Sequence, residues 1–296
     1  MMEKSRGRLT YEQRRQAKGW IFIAPFILGF LLFFLMPVIQ SIQYSFHDIK
    51  IGEPMQFVGL DNYIFMLNEN PTFKTDLLNT FLGLFPQVCI IIFFSLFVSV
   101  ILNQKFRGRG FARAIFFLPV IITSGVVMEL MQSQIFAEAG NPTNVYLFKS
   151  TALRDTLIRS GLSASFVGQI TQFVNQVFTY TWKSGVQILL FLAGLSAIPR
   201  SYYEAASVEG ASEWDSFWKI TIPLVSPIMF TNIIYTIIDT FTDTSNPVLQ
   251  SIFSTIKDSQ RYGLGAAQSW MFFLIIIVVI LIAYVLIGRK TFYMNE

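Results

Sequence analysis

Six mostly apolar runs, each about 20 residues or longer, divide this chain and limit what it can fold into. At about 1.5 Å per residue, some 20 residues of helix cross a hydrocarbon layer roughly 30 Å thick. Inside that layer every backbone N–H and C=O must find a partner within the protein, so such runs are read as helices. They cover about 19–46, 77–103, 111–135, 167–198, 220–241 and 266–288. Composition agrees: with 53% hydrophobic and only 14% charged residues, there is too little polar surface to cover a globule in water. The expected fold is an all-α membrane protein with six transmembrane helices. Pro25, Pro37, Pro86, Pro119, Pro223 and Pro227 lie in or at the ends of these runs. Neighbouring helices can satisfy the carbonyls they free, so kinks are expected and breaks are not. The first run is longer than a signal-peptide core and no small-residue cleavage site follows it, so it is read as a permanent helix.

Loop charges set the orientation. Of 22 Lys and Arg residues, 14 fall on the side that holds both termini, 7 on the other, and Lys183 lies within a helix. The positive-inside bias therefore makes both termini cytoplasmic. The chain divides into a cytoplasmic N-terminal arm (1–18), a six-helix membrane domain (19–288) with a cytoplasmic segment at 200–224, and a cytoplasmic tail (289–296). The net charge of +4 follows from this bias and calls for no nucleic-acid partner. Cys89 is alone, so no intrachain disulfide forms.

Outside the runs, the arm is read as a short surface helix. The stretch 47–76, with FVGLDNY and the turn-like GEP and NENP, is read as a folded interfacial cap. The apolar spacing in 136–166 predicts an amphipathic surface helix. The Ser- and Gly-containing 244–265 gives no clear element.

Catalytic groupings are absent. The sequence has no HExxH, no GxSxG, no His and Cys cluster for a metal, and no GxxxxGK[ST] loop to cradle phosphates. His47 is read as an interfacial histidine. The chain is read as no enzyme, and any ATP it uses binds elsewhere.

The apolar helices carry polar stripes. Gln169, Gln172, Gln176, Thr179, Lys183 and Gln187 recur at steps of three and four and share one face of the fourth run. Asn232, Tyr235, Thr236, Asp239 and Asp243 do the same on the fifth, and Glu129, Gln132 and Gln134 lie on the third. A charge at bilayer depth costs about 2.5–3.5 kcal/mol, so Lys183 should face a cavity or an acid. Asp239 lies at a comparable depth. Amides, hydroxyls and rings suit a polyhydroxylated solute, and the cavity candidates are Gln172, Gln176, Thr179, Tyr180, Lys183, Asn232, Tyr235 and Asp239. The alternative is that these groups join helices by buried hydrogen bonds.

The segment EAASVEGASEWDSFWKITIPL, from Glu204 to Leu224, is charged and lies between two apolar runs. Residues 202–208 read as one short helix, Gly210 permits a sharp turn because it lacks a Cβ, and 211–219 resume the helix. The order Glu204, Ala205, Ala206, Gly210, Ile220, Ile222 and Pro223 resembles the EAA loop of ABC-importer permeases: EAA, three residues, Gly, nine residues, I-x-L-P. Ile222 replaces the Leu, a near-isosteric change. With APFILGF, FVGLDNY, FRGRGFARAIFFLP and TWKSGVQILLFLAGLSAIPRSYYEAAS, the chain resembles the carbohydrate-uptake permeases of the maltose and glycerol-phosphate type. The likeness runs over about 24–288 and weakens at 134–165 and 244–265.

The resemblance implies a type I ABC importer permease fold in the bacterial cell membrane. It also implies a second and different permease chain, two cytoplasmic ATPase subunits that carry ATP and Mg, an external solute-binding protein and a sugar cargo, an oligosaccharide. No cofactor is expected in this chain. Glu204, Ala205, Ala206 and Gly210 would form the dock for the ATPase. A secondary transporter using Asp239, Glu129 and Lys183 as an ion relay is the competing reading, and it gives no reason for an ATPase dock. A membrane enzyme lacks any catalytic grouping.

Overall fold

The computed structural model describes residues 11–50, 52, 54–123 and 157–288, leaving out the side chains of 13–17, 117, 119–123, 175, 176 and 178. The described residues are almost all helical. The helices are α1 (Tyr11–Phe30), α2 (Met36–Ser45), α3 (Asp61–Asn68), α4 (Pro71–Asn103), α5 (Arg109–Thr123), α6 (Ala164–Lys183), α7 (Gly185–Ala197), α8 (Arg200–Val208), α9 (Glu213–Ser216), α10 (Ile222–Thr242), α11 (Pro247–Lys257) and α12 (Tyr262–Ile287). A two-stranded antiparallel hairpin, β1 (His47–Asp48) with β2 (Gln56–Phe57), is the one departure from helix among the named elements.

Among the described residues, four helical runs are long and apolar enough to cross a membrane: Lys18–Ser45, Pro71–Asn103, Glu213–Lys257 and Tyr262–Ile287. They correspond to the first, second, fifth and sixth expected runs. The 45 residues of Glu213–Lys257 exceed one crossing. Its apolar part is α10, and its charged start at 213–219 lies outside that part. The third expected run appears as α5 up to Thr123, the remainder lying outside the described residues, as does most of the amphipathic helix expected at 136–166.

The fourth run corrects an expectation. It is interrupted at Ser184 (φ −84°, ψ 1°), which ends α6 and starts α7 with no proline nearby. The cause is a Ser–Gly pair: the Ser184 hydroxyl donates to the Thr181 carbonyl at 2.8 Å, and Gly185 tolerates the bend. The prolines Pro25, Pro86 and Pro227 lie inside continuous helices, as expected. Helix α1 runs from Tyr11 to Phe30, so residues 11–17 of the arm expected at 1–18 continue as helix into the first span, Lys18–Ser45. Residues 1–10 and the tail 289–296 lie outside the described residues.

Two wide turns of π type, Leu31–Leu35 and Phe217–Thr221, each end two residues before a proline, Pro37 and Pro223. Proline has no N–H to offer the carbonyl four residues back and its ring crowds that carbonyl. The preceding turn widens instead, closed by Met36 N–H to the Leu31 carbonyl and Ile222 N–H to the Phe217 carbonyl.

The chain forms two compact units, Met1–Leu78 with Thr244–Ile275, and Asn79–Asp243 with Ile276–Glu296. In the first, the expected cap is present at the end of α2. Asn62 on α3 donates to the carbonyls of Ser45 and His47, both at 3.0 Å, and the Tyr63 hydroxyl donates to Ser45 Oγ at 2.9 Å. Tyr262 N–H reaches the Ile49 carbonyl at 3.0 Å, and Arg261 lies over the Phe65 ring at 4.7 Å. The 244–265 stretch holds α11, whose start was legible after all: Asn246 accepts from Val248 N–H as cap and Pro247 takes the first helical position.

In the second unit α7 is central. Phe191 and Leu195 pack with Ile92 and Leu96 of α4 and Val225 of α10, while Ile188 and Leu192 pack with Val98 and Leu102, flanked by Ala112 and Phe116 of α5. Lipid tails are as apolar as leucine, so close packing and hydrogen bonds must hold such helices together. Ser99 Oγ donates across to the Ile188 carbonyl at 2.9 Å. Gly194 lets α10 approach so closely that a Cβ there would lie 2.8 Å from Ile228. Gly194→Leu is therefore expected to separate α7 from α10 and lower the unfolding temperature in detergent, while Gly168→Leu, with nothing within 4 Å, leaves it in place.

Candidate functional site

The segment 200–224 folds as a helix-turn-helix. Pro199 precedes α8, which ends at Val208, and Gly210 turns the chain at φ 78°, a left-handed conformation that favours glycine. Ser212 then caps α9: its hydroxyl accepts from Asp215 N–H at 3.1 Å, and the Asp215 carboxylate accepts from Ser212 N–H at 3.4 Å, a capping box. Glu204, Ala205 and Val208 are exposed, whereas Tyr203 and Ala206 are half-buried. The segment thus has an outward face carrying Glu204 and Ala205 and an inward face carrying Tyr203. The Tyr203 hydroxyl and Thr221 Oγ lie 2.9 Å apart.

Asp215 also receives Lys219 Nζ at 2.9 Å. The Ser212 hydroxyl first, and Lys219 second, hold its carboxyl down at about 2, below the usual 3.8. A depressed carboxyl stabilises the fold above its ordinary value and loses that contribution as pH falls through the folded one. Amide protection at the start of α9, taken relative to the intrinsic exchange rate at each pH, should therefore hold at neutral pH and decline as the pH falls from about 4 to about 2.

The polar faces of α6, α7 and α10 separate into two layers. In the deeper layer, Asn232 and Gln187 are fully buried; Asn232 Nδ2 donates to the Gln187 carbonyl at 2.9 Å, and Gln187 Nε2 to Thr236 Oγ at 3.3 Å. Asn232, expected at a cavity, thus joins α10 to α7. Nearer the end of α10, Lys183 forms an ion pair with Asp243, and Asp239 lies one helical turn before Asp243 on the same face. Lys183 therefore meets an acid as expected, and the partner is Asp243. Thr179, Tyr180, Tyr235 and Asp239 are half-buried and Gln172 is exposed; the Gln176 side chain, Glu129, Gln132 and Gln134 lie outside the described residues. Among the described residues no group of His, Cys, Asp and Glu could hold a metal.

A matching family model covers residues 77–289: the binding-protein-dependent transport system inner membrane component. This chain belongs to that family. It is therefore an inner-membrane component of such a transport system. One relative is the probable ABC transporter permease protein YesP of Bacillus subtilis (strain 168), 34% identical over 223 residues, which are 75% of this chain and 70% of YesP. Another is the trehalose/maltose transport system permease protein MalF of Thermococcus litoralis, 29% identical over 299 residues and covering 93% of this chain and 95% of MalF. A bacterial ABC transporter for import of the acidic polysaccharide alginate has a solved chain that superposes with a TM-score of 0.66 at 17% identity, over 95% of this chain and 98% of that one. At that identity the likeness speaks for the fold. A bacterial alginate ABC transporter in complex with an alginate pentasaccharide-bound periplasmic protein has a chain that superposes equally well, with a TM-score of 0.66 at 17% identity over 96% of this chain and 99% of that one.

Proposed function

We propose that this inner-membrane component is one permease subunit of a type I ABC importer that carries an oligosaccharide, driven by ATP and Mg on two separate ATPase subunits. The observation that carries the reading is the helix-turn-helix at 200–224, whose left-handed Gly210 and outward Glu204 and Ala205 match a dock for a nucleotide-binding partner. In this reading six helices cross the membrane with both termini in the cytoplasm, residues 1–18 and 289–296 flank the membrane domain, and a second, different permease chain completes the path. The third and fourth crossings are α5 with the chain that follows it, and α6 with α7. An external solute-binding protein delivers the sugar. The names of YesP and MalF support the transporter class, and MalF supports a sugar cargo.

Gln172, Gln176, Thr179, Tyr180, Lys183, Tyr235 and Asp239 are the groups proposed to line the path, while Asn232 helps to hold it open. Lys183 and Asp243 would hold the junction of α6 with α7 against the outer end of α10. Lys183→Met or Asp243→Asn alone breaks the ion pair from one side, and the pair of changes removes both of its charges together. In detergent, the double variant should be more stable than the sum of the single losses predicts, by roughly 0.5–3 kcal/mol. Purified with its associating subunits and a solute-binding protein, the assembly should hydrolyse ATP faster with one class of neutral oligosaccharide among a panel. An assembly without a nucleotide-binding subunit would overturn the proposal.

A further inference from the structure

We infer that Tyr203 is a positioning residue, fastening the coupling helix α8 to the span α10 so that a push on one moves the other. The inference rests on the reading of 200–224 as the ATPase dock. Between α8 and α10 the chain passes a left-handed glycine, the four-residue α9 and a π turn. The left-handed glycine is where this connection can flex, since α9, the π turn and α10 run on as one helical stretch, so a displacement of α8 would be taken up there unless the two helices were joined directly.

The Tyr203 hydroxyl and Thr221 Oγ, 2.9 Å apart and 18 residues apart in sequence, make that join. Thr221 is the last residue of the π turn, immediately before α10, and only 6% of it is exposed. The link therefore bypasses Gly210, α9 and most of the π turn. The Thr221 hydroxyl also reaches the Ser216 carbonyl, at the longer distance of 3.4 Å. Tyrosine suits the role because its ring has only two side-chain torsions and places the hydroxyl at fixed reach. It also points away from the docking face: Glu204 and Ala205 are exposed while Tyr203 is half-buried. One face of α8 meets the partner and the other holds the span.

The test uses the full assembly, purified with its subunits in lipid nanodiscs on a Cys89→Ser background. Spin labels at Ser201→Cys, on α8, and Thr242→Cys, at the far end of α10, report the helix-to-span distance with no nucleotide and after trapping with Mg-ATP and vanadate. With Tyr203 present, one narrow distance persists through trapping, because helix and span move as a body. In Tyr203→Phe and Thr221→Val the nucleotide-free distance is unchanged, but the trapped state loses it in a share of molecules, with an equilibrium shifted about threefold to tenfold, the weight of one hydrogen bond. Thr221→Ser, which keeps the hydroxyl, restores the narrow distance. A trapped Tyr203→Phe assembly with the wild-type distance overturns the inference, and so does an equal change with and without nucleotide, which marks a merely structural bond. An assembly that binds no Mg-ATP defeats the docking reading itself, and the inference with it.

Discussion

Gly210→Val abolishes solute uptake and strips the ATPase subunits from the purified assembly, while the chain itself still inserts in the membrane. The reason lies in the backbone, since a Cβ built on Gly210 meets nothing within 4 Å. What it meets is its own φ of 78°. A β-branched residue there is strained by roughly 1–2 kcal/mol and escapes by leaving the left-handed region, which re-aims everything that follows. The angle between α8 and α9 is lost, and with it the outward presentation of Glu204 and Ala205. Gly210→Asn is the control, because asparagine tolerates this conformation. Co-purification with the ATPase and uptake by whole cells read both variants; normal uptake by the valine variant would sink the coupling proposal.

The second large effect is expected far from that segment. Gly263→Ala should unfasten the cap of the first unit, because a Cβ at this position would lie 1.9 Å from the His47 carbonyl oxygen and 3.2 Å from Ile49 N. Both are backbone atoms of the hairpin strand and the residue after it, so no side chain can swing aside. The start of α12 must move off the strand, breaking the bond from Tyr262 N–H to the Ile49 carbonyl and loosening the grip of Asn62 on the His47 carbonyl. Overpacking of this kind costs about 1–3 kcal/mol and more when backbone is the obstacle. Amide exchange over residues 46–58 should accelerate and the unfolding temperature in detergent should fall. Gly83→Ala, with open space around its position inside α4, should neither accelerate that exchange nor lower the unfolding temperature.

Much of this arrangement can be read from the residues, for reasons that differ by element. Long apolar runs at 19–46, 77–103, 220–241 and 266–288 place four of the described helical runs as long and apolar enough to span a membrane, because length and hydrophobicity alone decide that question. The turn at Gly210 and the cap at Ser212 are legible because their chemistry is local: a residue without a Cβ, then a hydroxyl three residues before an acid. Contacts between helices are a different matter. The period of the stripe on α10 tells which residues share a face, and it puts Asp239 and Asp243 together, but it does not tell which of them Lys183 meets. Asp243 takes the role where the helix has ended and its backbone is extended, ψ 129°. Periodicity likewise aligns Asn232 with the acids while saying nothing of the Gln187 carbonyl that takes its amide. The bend at Ser184 and the helix that starts at Asn246–Pro247 had local signals, a Ser–Gly pair and a capping Asn before Pro, that the apolar pattern and the loop composition obscured.

The wide turn at Phe217–Thr221 also sets the angular phase of everything after it. A π turn holds one residue more than an α turn, and one residue is roughly 100° of rotation about the axis. Winding Phe217–Thr221 as an ordinary α turn, with no residue removed, would leave the apolar crossing just as long. It would nonetheless swing Asn232, Thr236, Asp239 and Asp243 by that angle, off Gln187 and Lys183 and round to another side of the helix. The span would survive as a span and fail as a part, which makes this five-residue turn an index mark for the rotational setting of the whole of α10.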